Sequence, residues 1–276
     1  MKLPNIVVRI LAGAVFVAFL LGGILVDEYT FVGVFALITG LALYEFYILI
    51  EKTAKVPISK TLNIVAGVFL FLGGYLYNFH SGLLGFVIYL LLLFIIFISQ
   101  LYQKKEDPIK CLAYSIFGQV YIAGSLALLS YLARPFFEDT YQSIYILAIF
   151  VFIWVNDSFA YLTGMAFGKH RLFERISPKK SWEGFIGGAI FSIASSLLFY
   201  YFSVSSLNMY QWMGFAAVTV ACGTWGDLFE SLIKRTLGVK DSGNMIPGHG
   251  GILDRMDSTL LAIPAVAIYL CFLHFI

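Results

Sequence analysis

Apolar residues dominate this chain in blocks too long for a soluble core, and polar residues gather in the gaps between them. A helix crosses a bilayer with about 20 apolar residues. Nine blocks reach that length, at 5–25, 29–50, 61–79, 83–101, 111–133, 143–166, 184–202, 209–231 and 256–276. The pattern predicts an all-α, polytopic integral membrane protein with about nine transmembrane helices. No internal repeat or low-complexity segment interrupts it, and no gap is long enough for a separate soluble domain. Residues 1–150 read as membrane scaffold. Residues 151–276 carry the polar motifs within the same membrane unit. Met1-Lys2 before an apolar run resembles a signal peptide, but many equally apolar blocks follow, so a first membrane helix is the better reading.

The gaps alternate in charge. Lys2 and Arg9 lie at the first block, and Lys52, Lys55 and Lys60 lie in the second gap. Lys104, Lys105 and Lys110 occupy the fourth. Lys169, Arg171, Arg175, Lys179 and Lys180 follow the sixth block, and Lys234, Arg235, Lys240 and Arg255 follow the eighth. With nine helices, only Arg134 falls on the opposite side. Loops rich in Lys and Arg stay cytoplasmic. The expected orientation in the cell membrane is therefore N-terminus and both long basic loops inside, C-terminus outside.

Composition agrees with a membrane solvent: 60% of residues are hydrophobic and only 12% charged. A net charge of +2 gives no footprint for nucleic acid. Cys111, Cys222 and Cys271 are far apart in apolar stretches, which suits small buried residues and neither a metal site nor a disulfide framework.

Acids inside apolar blocks are the first chemical signal, because the bilayer makes an ionised side chain expensive. Glu45, Asp157, Asp227, Glu230 and Asp257 qualify, and Asp254 stands at the mouth of the ninth block. Asp157 is about ten residues from the cytoplasmic end of its helix, roughly 15 Å deep. Asp254 and Asp257 are three apart and share a helix face. All these acids fall in the cytoplasmic half. Glu45 and Glu230 are readily explained as partners of nearby cations. Asp157, beside Asn156 and without a local cation, is less so. Asp227, Asp254 and Asp257 would repel one another unless a cation lay between them. Oxygen ligands without convergent His or Cys point to Mg²⁺, with room for a second cation.

Two basic loops supply the counterpart. Ser177-Pro178-Lys179-Lys180-Ser181-Trp182-Glu183-Gly184 reads as a serine cap with proline at the first helical position, a helix N-terminus suited to an anion. The second loop is richer, with Lys234-Arg235, Lys240-Asp241, Pro247-Gly248-His249-Gly250-Gly251 and Asp254-Arg255-Met256-Asp257. Glycines let backbone N–H groups approach a ligand, the cations neutralise phosphate, and His249 can donate a hydrogen bond to it. Gly168-Lys169-His170 lacks the residues of a Walker P-loop. Carboxylates for a metal beside cations and a glycine loop form the apparatus of phosphoryl or nucleotidyl transfer.

The stretch Ser231 to Asp257 resembles the signature of phosphatidate cytidylyltransferases, the CDP-diacylglycerol synthases. That signature reads S, K-R, K-D, H-G-G and D-R-x-D at this spacing. Asn156-Asp157-Ser158-Phe159-Ala160-Tyr161 and the Ser177–Gly184 loop resemble other motifs of that family, so the likeness extends over about residues 154–258. It implies an all-helical, dimeric membrane enzyme that joins CTP and phosphatidate into CDP-diacylglycerol and pyrophosphate with Mg²⁺. It also implies Asp227, Asp254 and Asp257 as metal ligands, with Lys234, Arg235 and His249 in the catalytic group. Asn156, Asp157, Ser177, Lys179, Lys180, Ser181, Lys240, Asp241, Gly250, Gly251 and Arg255 are the expected substrate contacts. Two other classes remain: a cation-coupled transporter, whose site would lie near the midplane, and another lipid phosphotransferase.

Overall fold

A computed structural model describes residues 5–77, 82–102, 107–135, 140–202, 206–246, 248 and 250–275. Pro247 and His249 lie outside the described residues, so the role expected of His249 is not addressed by the structure. Helices occupy all nine apolar blocks: α1 (Asn5–Leu25), α2 (Glu28–Ala54), α3 (Lys60–Leu76), α4 (Gly82–Tyr102), α5 (Pro108–Gly118) continuing through a π-helical turn into α6 (Ser125–Ala133), α7 (Ser143–Phe167), α8 (Trp182–Phe202), α9 (Met209–Thr236) and α10 (Leu253–Phe275). Among the described residues, six of these stretches are long and apolar enough to cross a membrane. The described parts of α1 and α3 are apolar but shorter. The polar end of α9, with Asp227, Glu230, Lys234 and Arg235, interrupts its apolar run.

Local chemistry explains the helix starts. Asp27 accepts from the Thr30 backbone N–H at 2.7 Å while the Thr30 hydroxyl accepts from Asp27 N–H, a reciprocal capping box. Asp107 caps α5 with Pro108 at the first helical position. Many apolar side chains stay exposed on the protein surface, most of all along α4, where Leu83, Leu91, Phe94 and Leu101 stand clear of the protein. Water would not tolerate such a face, and a bilayer solvates it.

The chain divides into two compact units, residues 1–131 with 237–256, and 132–236 with 257–276. The core of the first contains Phe31, Phe35, Phe46, Tyr47 and Phe71. There the Gln119 amide donates to the Asn63 carbonyl at 2.7 Å and to the Tyr47 hydroxyl at 3.2 Å. These bonds occupy the π-helical turn Gln119–Gly124. In the second unit Tyr145, Phe152, Trp212 and Phe215 form an aromatic core between α7 and α9. Glycines bring its helices close together. A Cβ on Gly188 of α8 would lie 2.7 Å from the Asn156 carbonyl oxygen of α7, and one on Gly226 of α9 would lie 2.7 Å from the Asp257 carbonyl oxygen of α10.

One expectation is corrected here. Ser177 does not cap a helix, and Pro178 does not open one. Ser177–Ser181 is a strand, β2, paired antiparallel with β1 (Arg171–Phe173). The cap belongs to Ser181, whose hydroxyl accepts from Gly184 N–H at 3.1 Å as α8 begins at Trp182. Proline tolerates an edge strand as well as a first helical turn, so Ser-Pro alone does not distinguish them. The Glu183 carboxylate secures the hairpin by accepting from the backbone N–H groups of Lys169 and His170 at 3.1 and 3.2 Å.

Candidate active site

The second unit holds a cavity of about 510 Å³ lined by α7, the β hairpin, α8 and α9. Its polar lining gathers Asn156, Asp157, Arg171, Lys179, Lys180, Ser181, Thr224 and Asp227. Asn156 and Asp157 come from α7. Thr224 and Asp227 are three apart on α9 and so share a face. The hairpin turns its lysines back over the helices that carry these acids. The Lys180 ammonium pairs with Asp227 Oδ2, both side chains 28% exposed, while the Ser231 hydroxyl reaches Asp227 Oδ1 at 3.4 Å. Asp157 and Asp257 are near enough to Asp227 to repel it, and Lys180 and Lys234 are near enough to offset part of that repulsion. The Asp227–Asp257 proximity follows from the glycine contact of α9 on α10.

Three sequence-selected positions lie outside the cavity lining. Lys234 makes an ion pair with Glu230 at 3.1 Å, the local partner expected for that acid. Arg235 is exposed near the end of α9. Ser177 lies at the start of β2 and is not part of the cavity lining. Arg171 and Thr224 line the cavity although the sequence did not single them out as substrate contacts. Arg171 was legible only as loop charge, and Thr224 only as a polar residue one helical turn from Asp227.

The glycine-rich loop belongs to the first unit. Asp254 stands in the first turn of α10, which starts three residues earlier than the apolar pattern suggested. Its Oδ2 accepts from Ser242 N–H at 2.9 Å, the Ser242 hydroxyl at 3.0 Å and Gly251 N–H at 2.9 Å. Asp254 therefore ties the two ends of the loop together. Glu45, buried on α2, accepts from Leu253 N–H at 2.9 Å at the N-terminus of α10. The cationic partner expected for Glu45 is replaced by a helix N-terminus, which attracts a carboxylate for the same electrostatic reason. Room for Glu45 depends on glycine: a Cβ on Gly251 would collide with Glu45 Oε2, and one on Gly243 would lie 2.6 Å from Oε1. Lys240, Asp241, Gly250 and Arg255 line a separate polar cavity of the same unit.

The donor set of the second unit suits a hard divalent cation. Among the described residues no three His, Cys, Asp or Glu side chains form a closed metal cage. Magnesium does not need one, since it binds through one or two carboxylates together with waters and substrate phosphates. Asp227 and Asp157 supply carboxylates. Among the described residues the buried Thr224 Oγ1 and Asn156 Oδ1 have no hydrogen-bond partner, and they add neutral oxygens.

The family model for the cytidylyltransferase family matches residues 7–273. A phosphatidate cytidylyltransferase of Haemophilus influenzae is 45% identical over 132 residues, covering 46% of each chain. The protein of that name from Staphylococcus aureus (strain COL) is 44% identical over 136 residues, 49% of this chain and 52% of the relative. That from Staphylococcus haemolyticus is 44% identical over 126 residues, 46% of this chain and 48% of the relative. The aligned part spans about half the length of the curated relatives. The family match, by contrast, runs from the first helix to the last and takes in both the carboxylate cavity and the glycine loop, and the chain belongs to the cytidylyltransferase family.

Proposed function

We propose that this chain transfers the cytidylyl group of CTP to phosphatidate, forming CDP-diacylglycerol and pyrophosphate. The observation that carries this reading is the cavity that joins Asp227 and Asp157 to Lys180, Lys179 and Arg171. It pairs oxygen ligands for a cation with cations for phosphate, beside helices whose apolar faces suit a lipid substrate. The relatives' names favour phosphatidate over another lipid phosphate.

The reaction needs little proton transfer. The nucleophile is a phosphate monoester with a second pKa near 6, already largely ionised at neutral pH. Its oxygen attacks the α-phosphorus of CTP, and the bond to the bridging oxygen of pyrophosphate breaks. The obstacle is repulsion between two anions. Lys179, Lys180 and Arg171 would offset that charge and orient the phosphates. Asp227, with Asp157 and Asp257 nearby, would hold Mg²⁺. When bound, the ion would supply Lewis-acid stabilisation of phosphoryl oxygens. With substrate present, Lys180 would exchange Asp227 for a phosphate, since each can balance its ammonium.

The test is purified protein in proteoliposomes with labelled CTP and a panel of lipid phosphates. Labelled CDP-diacylglycerol from phosphatidate is expected. Cation flux without lipid product would instead favour the transporter class, and product from a different lipid phosphate would change the substrate.

The nine-helix, multi-pass arrangement in the cell membrane, the inward orientation and a homodimer belong to the same proposal. Single cysteines placed in the Lys169–Lys180 hairpin and the Lys240–Arg255 loop should resist a membrane-impermeant maleimide in intact cells and react after permeabilisation. A cysteine beyond α10 should label from outside. Strong external labelling of either basic loop would refute the orientation drawn from the Lys and Arg distribution.

A further inference from the structure

The second polar cavity, within the first unit, has about 490 Å³ and lies on the 237–256 loop. Its charged lining includes one residue that belongs to no motif of the loop, Arg9 of α1. Arg9 comes together there with Lys240 and Arg255, and Asp241 is the one carboxylate among the described lining residues. Cations therefore outnumber acids in the described lining. Phosphate monoesters carry about −1.5 to −2 at neutral pH. Among the described residues neither Arg9 nor Lys240 has an ion-pair partner.

The loop is shaped around Arg9. Gly248 has φ +75° and Gly250 φ +84°, the left-handed region where a side chain would be strained. A Cβ on Gly248 would fall 2.5 Å from Arg9 Cγ. The glycine thus allows the arginine stem to lie directly on the loop backbone. A basic residue that only set membrane orientation would need no such seat, because charge near a helix end suffices for that. Guanidinium also presents paired donors that match phosphate oxygens, which a topological charge does not require.

We propose that Arg9, Lys240 and Arg255 form a phosphate-binding subsite on the first unit, with Arg9 as its specificity-determining residue. Its ligand is a dianionic phosphate group, borne either by phosphatidate at the membrane surface or by the free di- or triphosphate of the second reactant. The assignment to these two sources rests on the cytidylyltransferase reading above; the phosphate chemistry rests on the cavity.

The experiment uses the full chain in phosphatidylcholine nanodiscs with EDTA, so that binding is read without turnover. The probes are phosphatidate added to the disc and inorganic pyrophosphate added to the buffer, each followed by the shift in Tm. Arg9→Gln should weaken the apparent affinity for at least one probe by about tenfold or more, as expected for losing a charge-assisted bond. Arg9→Lys should recover only part of it. A loss confined to phosphatidate assigns the lipid headgroup, and a loss confined to pyrophosphate assigns the soluble reactant. A loss for both supports a general phosphate site. If Arg9→Gln proves unstable without ligand, Lys240→Gln provides the same comparison at another exposed cation of the cavity. Parent-like binding of both probes by the charge-neutral variant, or no binding of either by the parent, overturns the subsite. Arg9-dependent binding in a parent that makes no CDP-diacylglycerol would leave the subsite standing and remove the functional reading instead.

Discussion

Asp227→Asn is expected to lower turnover by about 10²–10³-fold, the loss typical of removing one preorganised electrostatic contact in an active site. Asn preserves the size and one acceptor oxygen, so the packing of α9 should survive. It removes the charge that balances Lys180 and that a hard cation requires. Mg²⁺ should raise the Tm of the parent, because a ligand stabilises the state that binds it, and should do so much less for the variant. Lys180→Ala is the complementary change. It should weaken phosphate binding while retaining the Mg²⁺ effect on Tm, since Asp227 is then left without its ammonium partner. Turnover assays and Tm measurements with and without Mg²⁺ on both variants check the pair. Normal turnover together with an undiminished Mg²⁺ shift in Asp227→Asn would remove the role given to this carboxylate.

The second large effect is expected from a residue remote in sequence from every motif. Glu45→Ala should leave Leu253 N–H buried without its acceptor, a loss of about 1–3 kcal/mol. The harm should extend beyond stability. Glu45 seats Leu253 at the start of α10, and the next residue, Asp254, holds Ser242 and Gly251 together. Loosening that junction should shift the whole loop, and misplacement by about 1 Å can cost about 10²-fold in rate. Glu45→Gln retains an oxygen acceptor and should be milder in both respects. Hydrogen exchange at residues 242–253 should accelerate in Glu45→Ala and far less in Glu45→Gln. Unchanged exchange and full activity in the alanine variant would mean that the loop holds its shape without α2. Asp254 makes a related point. The sequence suggested a metal ligand, and the structure gives its Oδ2 three hydrogen bonds inside the loop. An Asp254 variant should therefore disturb loop exchange as well as turnover.

The amino-acid sequence by itself determined where the chain forms helices and that it needs a bilayer. Both follow from the length and apolarity of single segments, which are local properties. It also singled out candidate residues for the proposed chemistry, because carboxylates in apolar helices are costly without a partner. The family signature was legible for the same reason, as residues at fixed short spacing. Tertiary structure alone decided the partners. Lys180 meets Asp227 because Ser177-Pro178, which reads equally as a helix start or an edge strand, pairs as β2 with β1, in a hairpin that Glu183 secures through the Lys169 and His170 N–H groups. Glu45 meets Leu253, and Arg9 meets Gly248, across most of the chain's length. In a sequence each of those two residues is an isolated charge in an apolar run, equally consistent with a salt bridge or an orientation signal. Only helix packing, which puts the missing Cβ of a distant glycine against them, determines what they touch.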